Sequence, residues 1–217
     1  MFKKFLYTVG IGCVQTFKGK NLYWHLLAIV LTYILVVGGF DWQYFIVTRG
    51  DWSTSIGMSA GIVGFLIPVI VPLTIYVSGI LRKDAQLKQV AIASLQTVIV
   101  ALVIIALYKA FTGRIQPEFV SGLVGIDISN GFNFGFWENG IFWGWPSSHT
   151  GAAFALSVFL GLVYKHKKWV GILAILYACY IGFGASVAFH WLSDVVAGVI
   201  VGSLVGYVMY QNFKKQL

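Results

Sequence analysis

The chain has 217 residues, 59% of them hydrophobic and only 10% charged, with a mean hydropathy of +0.84. Repeated apolar runs of about twenty residues, the length that crosses a bilayer, exclude a soluble domain and predict an integral membrane protein. Two cysteines, Cys13 and Cys179, exclude a disulfide framework and a cysteine metal site, and the net charge of +8 reads first as a topology signal rather than a nucleic-acid footprint.

Residues 1–20 carry Lys3, Lys4, Lys18 and Lys20 around FLYTVGIGCVQTF. That segment is too short and too glycine-broken to span, and predicts an interfacial helix. GIGC has Gly10 where a lipoprotein cleavage site needs a leucine-type residue, so residues 1–20 are expected to belong to the mature chain. Six spans follow: about Leu22 to Phe40, Gly57 to Leu81 with a kink at Pro68 and Pro72, Val90 to Tyr108, Ser147 to Tyr164, Trp169 to Val187, and Trp191 to Tyr210. The expected fold is therefore all-α: one domain over residues 1–217, with an interfacial helix at 1–20, a six-span bundle over 22–210 and an outer loop at 109–146.

Charge fixes its orientation. On this layout twelve of the fifteen basic residues fall on one side, leaving Arg49, Lys109 and Arg114 on the other. Acids do the reverse: Asp84 lies with the lysines, whereas Asp41, Asp51, Glu118, Asp127, Glu138 and Asp194 lie opposite. The positive-inside rule then puts both termini inside and the loop outside, in a cytoplasmic membrane.

Small residues recur every fourth position in the last three spans: Ser147, Gly151 and Ala155; Ala174, Ala178, Gly182 and Ser186; Gly198, Gly202 and Gly206. Such stripes let helices approach closely and predict the packing seam of the bundle. At its outer end the seam would hold two polar pieces, WPSSHTG at 145–151 and FHWLSDVVAG at 189–198. His190 and Asp194 stand one helical turn apart on one face. An acid one turn into an apolar helix is expensive and reads as functional, whereas His25 and His166 read as polar anchors at the membrane boundary.

WPSSHT resembles the Pro-Ser-Gly-His block of the type-2 phosphatidic acid phosphatase superfamily, and HWLSDVVAG resembles its last block, Ser-Arg-x5-His-x3-Asp. KAFTGRIQP, from Lys109 to Pro117, matches the first block, Lys-x6-Arg-Pro. The order and spacing are those of the family. Three departures from it matter: Gln116 replaces the arginine before proline, Phe183 and Gly184 replace Ser-Arg, and Ser148 replaces a glycine. Two guanidinium groups that hold phosphate in the family are absent, a loss of about 3–6 kcal/mol of charge-assisted contact. Restoring arginine at 116 and 184 is expected to raise the rate on phosphate monoesters.

The resemblance implies a lipid phosphatase that needs no cofactor, with a lipid phosphate in the membrane as its partner. His190 would be the nucleophile oriented by Asp194, and His149 the acid that protonates the leaving oxygen and then the base that activates water. Lys109, Arg114, Ser147, Ser148 and Gln116 would surround the phosphate, with the free N–H groups at the start of the fourth span as an anion site. Ser147 and Ser148 read equally well as helix caps, and Lys109 as a snorkelling lysine. His149, His190 and Asp194 also form the residue set of a two-His-one-carboxylate metal site, a weaker reading because their neighbours match metal-free blocks. The aromatic loop NGFNFGFWENGIFWGWP reads as an interfacial belt, or as a wall for a lipid headgroup. The missing arginines leave two further readings open, a headgroup transferase or lipase acting on phosphodiester lipids, and a lipid-binding protein without activity.

Overall fold

A computed structural model describes residues 2–117 and 126–215. Glu118, counted above among the outer acids, lies outside the described residues. Among the described residues eight α-helices follow in order: α1 (Phe2–Thr16), α2 (Leu22–Val37), α3 (Phe40–Thr48), α4 (Asp51–Leu81), α5 (Ala85–Thr112), α6 (Ser148–Val163), α7 (Lys168–Ala188) and α8 (Leu192–Lys214). Helices α2 (with the turn before it), α4, α5, α7 and α8 are long and apolar enough to cross a membrane. All six predicted spans are helical. The sixth spanning candidate, α6, has only 16 residues, about 24 Å against a hydrocarbon core of about 30 Å.

Local chemistry explains most of the boundaries. Asp84 caps α5, its carboxylate accepting from the Leu87 N–H at 3.0 Å, and α5 ends where Gly113 turns left-handed at φ 47°. Helix α4 continues through Pro68 and Pro72, both buried. Helix α3 was not expected from the sequence; it is a nine-residue piece that carries Asp41 inward after Gly39 takes φ 71°.

The core is built on α6, which packs against α5, α7 and α8. Gly198, Gly202 and Gly206 of α8 lie directly on Ser147, Gly151 and Ala155 of α6, so closely that a β-carbon on any of the three would press on α6 backbone. The α6–α8 seam is thus made by two of the small-residue stripes read from the sequence. The α7 stripe is divided. Gly182 packs loosely toward α6 and α8, while Gly184, outside the stripe, meets Ala60 of α4.

Helix α1 packs on α5 and α8, with Gly12 against Val100 and Met209 and the Gln96 amide donating to Phe5 O. His25 is no boundary anchor. It is 2% exposed and ties three helices together, with Nε2 3.0 Å from Thr16 O and Nδ1 2.8 Å from the Tyr108 hydroxyl. The described part of the outer loop folds back on the end of α5: Ile115 N–H donates to Gly131 O, Gly135 N–H to Phe111 O and Trp137 N–H to Ala110 O. Its aromatics split into two groups. Phe134, Phe136, Trp137, Phe142 and Trp143 are exposed, as a belt would be, but Trp145 is buried and donates its indole N–H to Thr32 Oγ1 at 2.8 Å.

Candidate active site

The site lies where α5 ends and α6 and α8 begin. These three ends are joined by the chain itself: Ser147 N–H donates to Asp194 O at 3.0 Å, and Thr112 Oγ1 donates to Trp145 O at 3.2 Å. Ser147 is unexposed and caps α6, its hydroxyl accepting from Thr150 N–H at 3.4 Å and lying 3.0 Å from Thr150 Oγ1. Capping therefore occupies that hydroxyl, while Ser148 and His149, both half-buried, open the helix beside it.

His190 sits on the two-residue link between α7 and α8. Its Nδ1 is 3.0 Å from Asp194 Oδ2, and the same carboxylate oxygen accepts the Trp191 N–H at 3.2 Å. One carboxylate thus caps α8 and orients the histidine. A carboxylate can only accept, so Nδ1 carries the proton and Nε2 is the basic nitrogen. Nε2 has no partner among the described residues. Burial pushes the His190 imidazole below its ordinary range, opposed by the hydrogen bond and charge of Asp194. Burial thus favours the neutral ring.

Phe189 packs against both histidines, its ring centroid 5.4 Å from that of His149 and 5.5 Å from that of His190. His149 packs against Gly64 of α4, where a larger residue would displace it. Lys109 is buried, donates to Phe142 O at 2.8 Å and is close enough to both histidines to act on them by charge. Two of its three protons remain for a ligand. Gln116, in the orientation that satisfies its amide, accepts from Gly144 N–H at 2.9 Å and donates to Phe189 O; its nitrogen also comes within 3.1 Å of His190 Nδ1, which already gives its proton to Asp194. It lies alongside the His190–Asp194 pair, on the site rather than remote from it.

Arg114 occupies a different place from the one expected. It is unexposed, behind Asp194, with its terminal nitrogens committed to Asp194, Ser193, Asp41 and Ser129 O. Its role as a cation in front of a phosphate does not fit that geometry. Gly184 is equally informative, because it lies in the α4–α7 contact rather than facing His190. Asp41 and Ser193, which sequence reasoning did not single out, complete the arrangement. Asp41 offered one signal, a carboxylate at the end of an apolar run.

Among the described residues no group of three His, Cys, Asp or Glu side chains is disposed to hold a metal ion. The Asp194 carboxylate is engaged instead by His190 Nδ1 on one oxygen and by Arg114 on the other.

A family model described as the PAP2 superfamily matches residues 89–217. The lipid A 4'-phosphatase of Bacteroides thetaiotaomicron is 28% identical over 111 residues, 47% of this chain and 44% of that protein, so the match spans less than half of the relative. A crystal structure described as the first transmembrane PAP2 type phosphatidylglycerolphosphate phosphatase from Bacillus subtilis superposes with a TM-score of 0.63 at 20% identity, over 91% of this chain and 97% of that one, a likeness of fold. The family match takes in Lys109, Gln116, His149, His190 and Asp194 together, and the chain belongs to the PAP2 superfamily.

Proposed function

We propose that this protein is a membrane lipid phosphatase that hydrolyses a lipid phosphate or diphosphate through a phosphohistidine on His190. The observation that carries the reading is the Nδ1 of His190 held 3.0 Å from a fully buried Asp194, with Nε2 left free. In-line attack by Nε2 forms the N–P bond as the ester P–O bond breaks. His149, across Phe189, gives its proton to the departing alkoxide. It then takes a proton from water, whose oxygen attacks phosphorus, breaks the N–P bond and releases inorganic phosphate. Lys109, the Gln116 amide and the backbone N–H groups opening α6 surround the equatorial oxygens.

The side of the membrane follows from charge. The lysine-rich helix ends lie opposite the end carrying His149 and His190, so the active site faces the periplasm or cell exterior from a cytoplasmic membrane. Helix α1 lies near the lysine-rich end, as an interfacial element packed on α5 and α8.

The test is a panel of lipid phosphates given to the purified protein in detergent, with inorganic phosphate as the readout and brief labelling to trap an acid-labile, alkali-stable phosphoprotein. Turnover with no labelled protein in wild type, or undiminished turnover in His190→Ala, would remove the covalent route. One observation favours a second reading. With Arg114 committed to two carboxylates, Lys109 is the cation that acts on both histidines among the described residues, and a singly charged phosphodiester needs fewer cations than a monoester. Release of a phospho-headgroup from diester lipids, with no phosphate from monoesters, would establish a headgroup transferase or lipase instead.

A further inference from the structure

Arg114 follows the left-handed Gly113 that ends α5, and its guanidinium stands between two carboxylates. Nη1 donates to Asp194 Oδ1 at 2.5 Å and to Ser193 Oγ at 2.6 Å. Nη2 donates to Asp41 Oδ2 at 2.6 Å and to Ser129 O at 2.7 Å. Asp41 in turn accepts the Ser193 N–H at 2.8 Å and the Ser193 hydroxyl at 2.5 Å. All four side chains, Asp41, Arg114, Ser193 and Asp194, are unexposed. Charge therefore alternates along one buried line from Asp41 through Arg114 and Asp194 to His190.

A buried arginine so engaged cannot swing to a phosphate without stranding two desolvated carboxylates, a penalty that far exceeds one new contact. Its partners also divide by function. Arg114 alone beside Asp194 would cancel the carboxylate's charge and weaken its hold on the cation that forms at His190. A second carboxylate restores the balance: Asp41 and Arg114 together are neutral, and Asp194 keeps a full negative charge toward the imidazole.

We propose that Asp41 and Arg114 are positioning residues for the nucleophile: Arg114 fixes Asp194 in one rotamer, and Asp41 holds and charge-compensates Arg114, so that the orientation and basicity of His190 are set from α3. This rests on the reading of His190 as the nucleophile. It assigns the retained guanidinium to the carboxylate behind the histidine rather than to the substrate. The groups facing His190 are Asp194 from α8, Lys109 from α5, Arg114 and Gln116 from the segment after it, and His149 across Phe189 from α6, with Asp41 of α3 reaching it only through Arg114 and Ser193. Asp41 is thus the one carboxylate of the set whose charge can be removed without touching a group next to the substrate.

The test uses the full chain in detergent with Asp41→Asn, which keeps the size and an acceptor for Ser193 but loses the charge. The expected result is a kcat lower by about 10- to 100-fold, the usual cost of losing an outer-shell partner, with KM little changed and the acid limb of the pH–rate profile moved to lower pH. Titration of the His190 ring protons by NMR needs no turnover and is expected to move the same way. Arg114→Lys, which can reach only one of the two carboxylates, is expected to lower kcat and spare KM, and it carries the same readings should Asp41→Asn fail to fold. A rise in KM as the main effect of Arg114→Lys would make the arginine a phosphate ligand and overturn the assignment. So would an unchanged His190 titration and kcat in a merely less stable Asp41→Asn protein. Absence of turnover in the wild type on every lipid phosphate sinks the proposed function instead, while the NMR titration still reads the coupling.

Discussion

Gly184 of α7 lies against the methyl group of Ala60 on α4, so tightly that even a β-carbon at 184 has no space. The neighbouring contact, Gly57 on Ala188, is equally close. This pair explains the missing arginine of the last block: the position has become part of a helix–helix contact. Arginine at 184 is therefore expected to block assembly of α4 on α7 rather than to rescue phosphate binding, and Gly184→Arg should express poorly or melt far below wild type. Gln116→Arg differs, because Gln116 is half-buried beside His190. That variant should fold and, if the substrate is a phosphate monoester, raise kcat/KM. A stable, more active Gly184→Arg protein in a thermal-shift and phosphate-release comparison would contradict this division.

The α6–α8 seam gives a second expectation. Gly202 lies on the backbone of Gly151, about half a turn along α6 from His149. Valine there must separate the two helices, costing about 1–3 kcal/mol, and it also separates the helix that carries His149 from the one that begins beside His190. Gly202→Val should therefore lower both the melting temperature and kcat. Gly171, which has nothing within reach of an added β-carbon, serves as the control, and Gly171→Ala should leave both unchanged.

The helices, the small-residue seam and the three polar blocks were legible in the sequence because each is a short-range pattern. Spans show as apolar runs, stripes as a period of four, and His190–Asp194 as one turn of one helix. What sequence did not give is long-range. Asp41 meets Arg114 across 73 positions and Ser193 across 152, and nothing near Asp41 announces either partner. Arg114 read as a phosphate contact for the same reason, since a basic residue beside a phosphate block cannot show that two carboxylates reach it first. His25 read as an anchor because its partners Thr16 and Tyr108 come from other helices.

Acidification should inactivate the protein later than an ordinary histidine would. Burial lowers the affinity of His190 for a proton, with Asp194 only partly offsetting it, so the neutral nucleophile persists below the usual value of about 6.5. The acid limb of kcat/KM is then expected below that value. Stability follows the same sign. The unfolded chain binds a proton at His190 near pH 6.5 while the folded chain does not, so the contribution is present above that pH and is lost as pH falls toward the depressed folded value. An acid limb at or above the ordinary histidine range would contradict the buried, neutral His190.

Topology is open to direct labelling. Asp127 and Glu138 are exposed on the loop that leads to His149, and Lys167 is exposed at the opposite end of α7 from His190. After Cys13 and Cys179 are replaced by serine, single cysteines at 127 and 138 should react with an impermeant maleimide added to intact cells, and one at 167 should react only after permeabilisation. Equal labelling of all three would refute the orientation.

The two histidines should separate when the leaving group is varied. On the proposed route His190 Nε2 makes the new bond to phosphorus, so His190→Ala should lose turnover on every substrate, whatever departs. In the first step of that route His149 supplies a proton to the leaving oxygen, and a leaving group of low pKa needs none. His149→Ala should therefore be badly impaired with an alkyl lipid phosphate but keep a large share of its phosphorylation rate with an aryl phosphate such as p-nitrophenyl phosphate. Its second step should remain slow, because water still lacks a base, so the labelled phosphoprotein should accumulate rather than disappear. If His149→Ala were equally defective with both leaving groups and left no trapped phosphoprotein, His149 would serve to shape the site or bind phosphate, and the acid would have to be sought in another group.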